Sequence, residues 1–355
     1  MKKTFWSVYN NEPALLIATA FLLVISVIML GSLAPYLFPQ YFLYIVLAIV
    51  AFILFSQIDF ETLTIFHWHF YVMTLVLLLL PLIIGQATRG VVRWIQIGSF
   101  TLQPTEIIRP FIFIFFAQYL NNIEFTRVNI IKTFVLIAIP VGMIVLQPSL
   151  GVAVLTLIGI GGIVFSQEFD KRYILGMGIL GVLASPIAWL IMQPYQRSRI
   201  LGLIFPSQDL LGGGYNRIQS IIAVGSGELS GRGLGEGIQT QLAFLPERHT
   251  DFMFASIAEE FGLLGTLLIL LIIFFIIFRF IKILEVAKNP VARGFISGVL
   301  FSFFVQTLVH AGMNMGIAPI TGLPLPLVSA GGSSLIATMS TLGIVIQSKK
   351  DVSSL

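Results

Sequence analysis

Long apolar runs separated by short polar segments dominate the hydrophobic pattern of the chain. Each run is close to the roughly 20 residues that a helix needs to cross the hydrocarbon core of a bilayer. The pattern therefore predicts an all-α polytopic integral membrane protein with about ten transmembrane helices, forming a single domain over residues 1–355. The predicted helices cover residues 13–31, 41–55, 67–84, 105–119, 131–146, 151–165, 173–192, 252–278, 290–312 and 326–347.

The amino-acid composition agrees with this class. The chain is 57% hydrophobic and 10% charged, with a mean hydropathy of +0.98, whereas soluble domains are about 25% charged. A soluble enzyme, a secreted module and a disordered chain are therefore excluded. The sequence has no cysteine, which excludes disulfides, thiol nucleophiles and cysteine-ligated metals. No histidine pair has the H-E-x-x-H spacing of zinc enzymes, so we predict no metal-ligand cluster.

The lysines indicate how the chain is oriented. Lysine and arginine accumulate in short cytoplasmic loops, and every lysine falls on the side of the predicted membrane that holds the N-terminus. We therefore expect both termini to be cytoplasmic and one long extracytoplasmic loop, residues 193–251, to connect the seventh and eighth helices. The lysines are Lys2, Lys3, Lys132, Lys171, Lys282, Lys288, Lys349 and Lys350.

The opposite side of the predicted membrane carries arginine and no lysine. A planar guanidinium binds phosphate or carboxylate through two hydrogen bonds, whereas an ammonium acts as a point charge. Any single outer arginine is equally well explained by lipid headgroups or loop acids, but so many together predict an anionic ligand at the outer surface. These residues are Arg89, Arg93, Arg197, Arg199, Arg217, Arg232 and Arg248.

The loop over residues 193–251 is long for a compact membrane protein, and such loops are usually functional. Within it, Tyr215, Ile218 and Ile222 follow helical spacing and predict a short helix at the membrane interface. Residues 225–237 are glycine-rich, so their N–H groups could form an anion-holding concavity, or the segment could simply be flexible. Their spacing matches no nucleotide-binding motif, which disfavours nucleotide binding.

The loop ends in Leu245-Pro246-Glu247-Arg248-His249-Thr250-Asp251-Phe252, directly before the eighth predicted helix. This segment gathers ionisable side chains and a hydroxyl at the outer membrane boundary, and Glu247, His249 and Thr250 are candidate substrate-binding residues. An aspartate beside an arginine at the mouth of an apolar helix is typical of a group tuned for proton transfer. Asp251 is therefore the candidate catalytic residue. It could also be the N-cap of the helix, and the two roles are compatible.

Ionisable residues inside predicted membrane helices are costly and functional by default. Glu106 and Arg109 lie three residues apart on the fourth helix, so they share a face and could neutralise each other. Glu259 and Glu260 lie two turns into the eighth helix. For each pair we favour a structural and coupling role over direct substrate contact. We interpret His310 as a satisfied interior histidine rather than a metal ligand.

Five sequence blocks, in a fixed order, span nearly the whole chain. They are Arg89-Gly90-Val91-Val92-Arg93-Trp94-Ile95, Gln103-Pro104-Thr105-Glu106, Gln147-Pro148-Ser149-Leu150-Gly151, the Leu245 to Phe252 block running into Glu259-Glu260-Phe261-Gly262, and Thr321-Gly322-Leu323-Pro324-Leu325-Pro326 followed by Ser329-Ala330-Gly331-Gly332-Ser333-Ser334. Together they resemble the SEDS family (shape, elongation, division and sporulation), which comprises the RodA and FtsW proteins of bacterial cell-wall synthesis.

Two blocks favour the RodA branch over the FtsW branch. Pro-Glu-Arg-His-Thr-Asp and Thr-Gly-Leu-Pro-Leu-Pro resemble the elongation proteins, whereas division proteins more often have alanine after that glutamate and a Lys-Gly-Leu stretch. The chain also departs from the family pattern. Ser149 replaces the usual Asp, His310 the usual Asn and Ala330 the usual Tyr. Arg109 replaces the usual Lys but keeps the positive charge beside Glu106.

The resemblance implies a peptidoglycan glycosyltransferase in the bacterial cytoplasmic membrane. Family members polymerise lipid II, the disaccharide-pentapeptide carried on undecaprenyl diphosphate. Asp251 would act as general base, while Ser329 and a set of arginines would bind the substrate and stabilise the departing diphosphate. The sequence leaves open whether a divalent cation, Mg²⁺ or Mn²⁺, assists. The candidate arginines are Arg93, Arg197, Arg217, Arg232 and Arg248, with Arg93 and Arg232 matching basic positions of family motifs.

The resemblance also implies protein partners. A class B penicillin-binding protein would supply the cross-linking, because nothing in this chain resembles a serine acyltransferase, and other proteins of the elongation complex would join it. No nucleic-acid partner is expected. Two other functions remain open at this point. One is a flippase for lipid-linked precursors, which the same helices and arginines would serve, and the other is a scaffold for the partner transpeptidase.

Overall fold

Helices make up most of the computed structural model. It describes residues 12–84, 86–88, 91–98, 100–124, 126–167, 186, 189–190, 192–204 and 213–350. The helices within these residues are α1 Pro13–Leu33, α2 Phe38–Gln57, α3 Phe60–Ile65, α4 His67–Ile84, α5 Pro104–Ile107, α6 Arg109–Asn121, α7 Arg127–Leu146, α8 Leu150–Ser166, α9 Pro194–Ile204, α10 Gly213–Ser226, α11 Ile238–Gln241, α12 Met253–Val286, α13 Pro290–Asn314 and α14 Gly332–Lys350.

Five of the described helices, α1, α2, α7, α12 and α13, are long and apolar enough to cross a membrane, and α4 and α8 are shorter apolar helices. Their outer faces carry large hydrophobic side chains, such as Ile17, Leu263 and Leu264, which are 64%, 57% and 64% exposed. An apolar surface of this extent is unfavourable in water and matches lipid. The chain is therefore a polytopic membrane protein. The seventh predicted helix, residues 173–192, lies mostly outside the described residues.

Small residues allow α8 and α13 to approach closely. A Cβ atom at Gly298 would lie 2.9 Å from the carbonyl oxygen of Gly159, and one at Gly162 would lie 2.9 Å from that of Ser297. The Ser297 hydroxyl donates a 2.7 Å hydrogen bond to the Gly162 carbonyl. Contacts of this kind drive helix association in a membrane, where lipid is as apolar as the helices. α13 also packs on α12, and α14 packs on α2.

A three-stranded antiparallel sheet follows α4, and the all-α prediction missed it. Its strands are β1 Gln86–Thr88, β2 Val91–Ile97 and β3 Phe100–Leu102, in the order β1-β2-β3. The strands are too short to show a clear alternation of apolar and polar residues, which explains the error. The Tyr44 side chain on α2 fixes the sheet, because its oxygen donates to the Thr101 carbonyl at 2.8 Å and accepts from the Thr101 amide at 2.9 Å.

Prolines shift two of the predicted helix boundaries. The helix predicted over residues 105–119 is two helices, α5 and α6, which meet at Ile108, because Pro110 lacks an N–H and favours the first turn of a new helix. The helix predicted over residues 326–347 begins later, at Gly332. Prolines 324 and 326 cannot donate helical hydrogen bonds, and Leu327 has a left-handed φ of 64°. Residues 321–331 are therefore an irregular segment rather than a helical turn.

A kink at Gly262 divides α12 into a short and a long part. Gly262 has a φ of 68°, so the helical bonds that Leu263 and Leu264 would donate to the carbonyls of Glu259 and Glu260 are not made. The glycine-rich part of the loop replaces them. Leu263 and Leu264 donate to the carbonyls of residues 228 and 229, at 2.9 and 3.1 Å, and the amides of residues 232 and 233 donate to the carbonyls of Glu259 and Glu260, at 2.9 and 3.1 Å.

We call this set of four hydrogen bonds the loop clasp. It corrects one prediction for the glycine-rich segment, because the amides of Arg232 and Gly233 bind carbonyl groups of α12 rather than forming an anion-holding concavity. Glycine is required where the two backbones meet. A Cβ atom at Gly231 would lie 2.2 Å from the Glu260 oxygen, and one at Gly262 would lie 2.3 Å from the Gly231 nitrogen. The loop is thus packed against the helix that follows Asp251.

Three helices lie within the described residues of the loop, 193–204 and 213–251. α10 confirms the helix predicted from the spacing of Tyr215, Ile218 and Ile222, whereas α9 and the short α11 were not predicted. On α10, Ser220 and Ala223 are buried, while Ile218, Ile221 and Ile222 are about two-fifths exposed. The exposed isoleucines give this helix the apolar outer face that is typical of a helix at a membrane interface.

Candidate functional site

An open cavity of about 250 Å³ lies where the end of the long loop, the sheet and the start of α14 meet. It unites residues of four of the five sequence blocks. Much of its lining is polar or charged, which distinguishes it from the surrounding apolar helices. Its lining residues are Leu37, Gln40, Arg93, Trp94, Thr101, Gln103, Glu106, Glu247, His249, Thr250, Asp251, Gly322, Pro324, Ala330, Gly331, Gly332, Ser333 and Ser334.

The backbone of the Asp251 segment is held in place through four consecutive carbonyl groups. Each accepts a hydrogen bond from a different donor, and the donors belong to α12, to α13 and to the segment before α14. The bonds are Ser256 Oγ to the Arg248 carbonyl at 3.0 Å, the Ala330 amide to His249 at 2.9 Å, Ser329 Oγ to Thr250 at 2.7 Å and Asn314 Nδ2 to Asp251 at 3.1 Å. Because every carbonyl is anchored, the side chains between them have fixed positions.

Gly322 brings the irregular segment against Asp251. It has a φ of 69°, and a Cβ atom placed on it would lie 3.5 Å from Oδ2 of Asp251. The N-cap position of α12 is Phe252, so the alternative in which Asp251 serves as the N-cap is wrong. Asp251 lines the cavity instead, together with Glu247, His249 and Thr250. Within this group, Thr250 Oγ1 donates to Glu247 Oε2 at 3.2 Å.

Arg93 is the predicted arginine that the structure brings to the cavity. It lies on β2 beside Trp94, with its guanidinium carbon 5.7 Å from the centre of the Trp94 ring. β2 pairs with β3, which is held by Tyr44 and, at its end, by the Gln103 amide, which donates to Ser333 Oγ at 2.8 Å. A cation on a braced strand, facing the same cavity as Asp251, is well placed to bind an anionic group.

The other predicted arginines do not line this cavity. Arg217 donates to the carbonyls of Gly202, Leu203 and Gly316, and Arg248 donates to the Leu33 carbonyl at 2.9 and 3.2 Å. Both guanidinium groups therefore join separate parts of the chain. Arg197 donates to the Leu190 carbonyl at 2.8 Å, and the Arg232 side chain is exposed on the loop clasp. Arg89 lies outside the described residues.

Glu106 and Arg109 form the predicted ion pair, and it extends further than predicted. Both residues are buried, and the guanidinium also donates to Gln306 Oε1 on α13 at 2.6 Å. The Gln306 amide then donates to the Pro324 carbonyl at 2.8 Å. Glu106 and Pro324 both line the cavity. A continuous chain of polar contacts therefore connects two residues of the cavity lining, Glu106 and Pro324, through Arg109 and Gln306.

Glu259 and Glu260 bind the long loop and do not line the cavity. Glu259 accepts from the amides of Gln239 and Thr240 at 2.8 and 3.0 Å, which are the first-turn amides of α11. Glu260 accepts from Ser32 Oγ at 2.6 Å and from Gln241 Nε2 at 3.1 Å. Their predicted structural role is thus achieved through hydrogen bonds to backbone and side-chain donors.

Several residues of the site were not singled out in the sequence. Tyr44, Gln40 and Thr101 line or brace the cavity from α2 and β3, and Asn314 binds the Asp251 carbonyl. Common polar residues at helix ends carry little local signal, so only the fold reveals them. Ser333 lies inside a quoted block, which could have identified it. Predicted Ser329 is buried, accepts from the Leu325 amide at 2.9 Å and binds the Thr250 carbonyl.

A second, mostly apolar groove of about 300 Å³ lies on the other side of the irregular segment. α8 and α13 form its walls through residues such as Val154, Leu155 and Val309, and Arg199 lies at its edge. Thr321 and Leu323 line this groove, while Gly322 between them lines the polar cavity. A stretch of three residues, Thr321 to Leu323, therefore separates the apolar groove from the Asp251 cavity.

Among the described residues, no group of three or more histidine, aspartate or glutamate side chains is arranged to hold a metal ion. The ionisable groups that line the cavity are Asp251, Glu247, His249 and Glu106, with Arg93 as the cation. His310 is fully buried and hydrogen-bonded, which confirms the prediction of a satisfied interior histidine.

An apolar helix bundle with a charged cavity at one end, closed in by a long braced loop, defines a polytopic membrane protein with a site for a polar, anionic group. The family model described as "Cell cycle protein", which covers FtsW, RodA and SpoVE, matches residues 10–353. The chain belongs to this family.

Individual relatives cover almost the whole chain. It is 35% identical over 356 residues to peptidoglycan glycosyltransferase MrdB of Escherichia coli K12, covering 97% of this chain and 95% of that protein. It is 34% identical to the probable peptidoglycan glycosyltransferase FtsW of Haemophilus influenzae, covering 87% and 81%. The predicted family resemblance is confirmed, and the longer match to MrdB agrees with the elongation branch.

Solved structures share the fold. A chain in a structure described as "Structural coordination of polymerization and crosslinking by a peptidoglycan synthase complex" matches with a TM-score of 0.82 and 29% identity, covering 96% of this chain and 98% of that chain. The rod shape determining protein RodA of Thermus thermophilus matches with a TM-score of 0.72 and 26% identity, covering 95% and 96%.

Proposed function

We propose that this protein is a peptidoglycan glycosyltransferase that polymerises lipid II into glycan strands during cell elongation, with Asp251 as general base. The observation that carries the proposal is the single cavity that joins Asp251 with Glu247, His249 and Arg93. Family membership and the named glycosyltransferase relatives support the reaction class. The location of an acid–base group beside a cation supports the assignment of roles.

The reaction transfers a glycosyl group with inversion. Asp251 takes the proton from the 4-hydroxyl of the acceptor sugar as that oxygen forms a bond to the anomeric carbon of the donor. The bond from the anomeric carbon to the diphosphate oxygen breaks, and its electron pair leaves with undecaprenyl diphosphate. The diphosphate needs charge stabilisation rather than a proton, and Arg93 supplies it from β2. Glu247, His249 and Thr250 bind the sugars beside Asp251.

The two cavities suit the two halves of this substrate. The polar cavity accommodates sugars and diphosphate, and the apolar groove along α8 and α13 accommodates part of the polyprenyl chain. Arg199, at the edge of the groove, offers a second cation near the junction of lipid and diphosphate. Only the short backbone stretch from Thr321 to Leu323 separates the cavity from the groove. The reacting end of the substrate therefore stays close to Asp251 while its tail remains in an apolar environment.

The proposal includes the arrangement in the bacterial cytoplasmic membrane. About ten helices span it, both termini are cytoplasmic, and the loop over residues 193–251 is extracytoplasmic. The distribution of lysine and arginine along the sequence supports this orientation. A class B penicillin-binding protein, together with other elongation-complex proteins, acts on the glycan product. The likeness to a chain of a solved peptidoglycan synthase complex supports a partner of this kind.

The decisive experiment measures glycan polymer formed by the purified protein from lipid II, with and without a class B penicillin-binding protein. Asp251→Asn removes the base at constant size, and we expect the rate to fall by about 10²- to 10⁴-fold. Glu228→Gln, at an exposed loop carboxylate away from the cavity, is the matched control and should leave the rate unchanged. Thermal melting in detergent verifies that both variants are folded.

Other outcomes would overturn the proposal. Wild-type polymerisation by folded Asp251→Asn would end the assignment of the base. If the wild-type protein forms no polymer but moves a fluorescent lipid II analogue across proteoliposome membranes, and Asp251→Asn still does so, the protein is a flippase. If neither activity occurs but the partner's cross-linking depends on the protein, it is a scaffold.

A further inference from the structure

We infer that Asn314 and His310, one turn apart at the end of α13, are positioning residues that hold Asp251 for catalysis by capping α12 from a neighbouring helix. The inference rests on the proposed function of Asp251. Both side chains are fully buried, and neither lines the cavity. Any effect that they have on the reaction is therefore transmitted through the backbone on either side of Asp251.

The first turn of α12 requires hydrogen-bond acceptors that its own cap residue does not supply. The first amides of any helix have no partner within the helix, and a serine, threonine, aspartate or asparagine at the N-cap normally accepts from the second or third of them. The N-cap of α12 is Phe252, whose side chain has no acceptor. The second and third helical residues are Phe254 and Ala255.

α13 supplies both acceptors. His310 Nε2 accepts from the Phe254 amide at 3.4 Å, and Asn314 Oδ1 accepts from the Ala255 amide at 3.0 Å. Since the cap comes from another helix, Asp251 does not need to fold back onto its own helix. The carboxylate lines the cavity instead, which is the orientation that a general base requires.

The same two side chains bind the segments that flank the Asp251 carboxylate. Asn314 Nδ2 donates to the Asp251 carbonyl at 3.1 Å. His310 Nδ1 donates to the Leu323 carbonyl at 2.6 Å, next to Gly322, which packs against the carboxylate. The carbonyl partner of Nδ1 fixes the tautomer with the proton on Nδ1, which leaves Nε2 as the acceptor for Phe254. Each residue thus uses one donor and one acceptor to join α13 to the reacting segment.

The substitution at position 310 matters to this arrangement. The family resemblance implies asparagine there, whereas this chain has histidine. Asparagine could still donate to the Leu323 carbonyl from its amide at the δ position, but it is too short to provide an acceptor at the position of Nε2. The histidine of this chain therefore provides the cap on Phe254 in addition to the contact with Leu323 that an asparagine could also make.

The test compares steady-state polymerisation by full-length purified variants with lipid II. Asn314→Leu removes both hydrogen bonds to the Asp251 segment and α12, whereas Asn314→Asp keeps the acceptor for Ala255 and removes the donor to the Asp251 carbonyl. Both variants also remove the hydrogen bond from Asn314 Nδ2 to the His310 carbonyl within α13. Displacing a catalytic group by about 1 Å costs up to roughly 10²-fold in rate, so we expect kcat to fall by that order while KM is unchanged. His310→Asn should retain most activity, whereas His310→Leu should lower kcat as Asn314→Leu does.

A matched control separates positioning from general destabilisation. Thr307→Val removes a buried hydroxyl from α13, whose hydrogen bond, at 2.9 Å, goes to the Phe303 carbonyl of the same helix rather than to the Asp251 segment. It should lower the melting temperature and leave kcat unchanged. Wild-type kcat in both folded Asn314 variants, or an equal loss of kcat in Thr307→Val, would overturn the inference.

The two proposals fail in different ways. Full activity of folded Asp251→Asn would reject the base, whatever the Asn314 variants do. An inactive Asp251→Asn together with fully active Asn314→Leu would reject only the positioning role. If both proposals hold, the double variant Asp251→Asn/Asn314→Leu is no slower than Asp251→Asn alone. The Asn314 substitution acts by displacing the Asp251 carboxylate, so it has no further effect on the rate once that carboxylate has been removed.

Discussion

Glu106 and Arg109 show how single residues keep a charge inside an apolar bundle. Their ion pair is buried, and Gln306 accepts a hydrogen bond from Nη1 of the guanidinium, while Nη2 binds Glu106. Arginine suits this position because its planar group can bind two acceptors in different directions, which a lysine does less well. The residue that departs from the family pattern is therefore matched to its surroundings.

Removing one member of this pair should be costly. Loss of one partner from a buried ion pair typically costs about 3–5 kcal/mol, because the other charge is left without compensation. We expect Glu106→Ala to lower both the melting temperature in detergent and the polymerisation rate. The double variant Glu106→Ala/Arg109→Met removes both charges and should recover part of the melting temperature. Full activity at unchanged thermal stability in Glu106→Ala would contradict this role.

Among single residues, the sequence identified those whose charge is unusual for an apolar segment. It did not show which charged side chains the fold brings to the cavity. Asp251, Glu106 and Arg93 are conspicuous as charges near or inside apolar segments, and the structure brings all three to one cavity. Arg217 is equally conspicuous, yet it binds backbone carbonyls of distant segments. Which arginine faces the cavity depends on long-range packing, which local sequence does not encode.

Among the structural elements, α12 and the loop clasp form one unit. Gly262 interrupts the helix, and the loop provides the hydrogen bonds that the interruption leaves unmade. The length of the apolar run predicted the helix, because the run continues through the break. The kink was not predicted, because a single glycine within a helix is compatible with a straight helix unless its φ is known.

Alanine at position 262 should separate the loop from the helix. The φ of 68° is unfavourable for a residue with a Cβ atom, and that atom would lie 2.3 Å from the Gly231 nitrogen. We expect a loss of about 1–3 kcal/mol of stability and faster proteolysis within residues 228–233. Gly161→Ala is the control, because α8 has open space at that position, and it should be neutral or slightly stabilising. Unchanged protease resistance in Gly262→Ala would refute the account of the clasp.

For the whole molecule, the buried carboxylate of Glu12 joins both ends of the described chain. It forms ion pairs with Arg279 on α12 and, at 2.5 Å, with Lys349 on α14. A nearby bond from Gln347 Nε2 to Asp59 Oδ1, at 2.9 Å, links α14 to the segment before α3. Glu12 therefore links the start of α1 to α12 and α14, at the end of the bundle opposite the Asp251 cavity.

Neutralising Glu12 should loosen this end. Its partners are about one-third exposed, so we expect Glu12→Gln to cost about 2 kcal/mol, between the values for exposed and buried pairs. The melting temperature should fall, and kcat should not, because the site lies at the other end. Glu285→Gln breaks the exposed pair with Lys282 and should leave the melting temperature unchanged. An equal shift in both variants would show that Glu12 makes no special contribution.

The global arrangement was only partly predictable. Apolar run length gave the class of protein and the approximate positions of α1, α4, α7 and α13, since the bilayer imposes that length directly. The sheet, the break at Ile108 and the irregular segment over residues 321–331 were missed. The sheet and the irregular segment depend on contacts with Tyr44, Gln306 and His249, and the break follows from Pro110, so hydrophobic periodicity encodes none of them.

The loop clasp also constrains the biogenesis of the protein. A helix that enters a bilayer must satisfy its backbone polar groups internally, yet two amides and two carbonyls of α12 are satisfied only by residues 228–233. α12 therefore reaches its native form only after the preceding loop has packed against it. Completion of this helix and ordering of the loop that leads to Asp251 are consequently one coupled folding step.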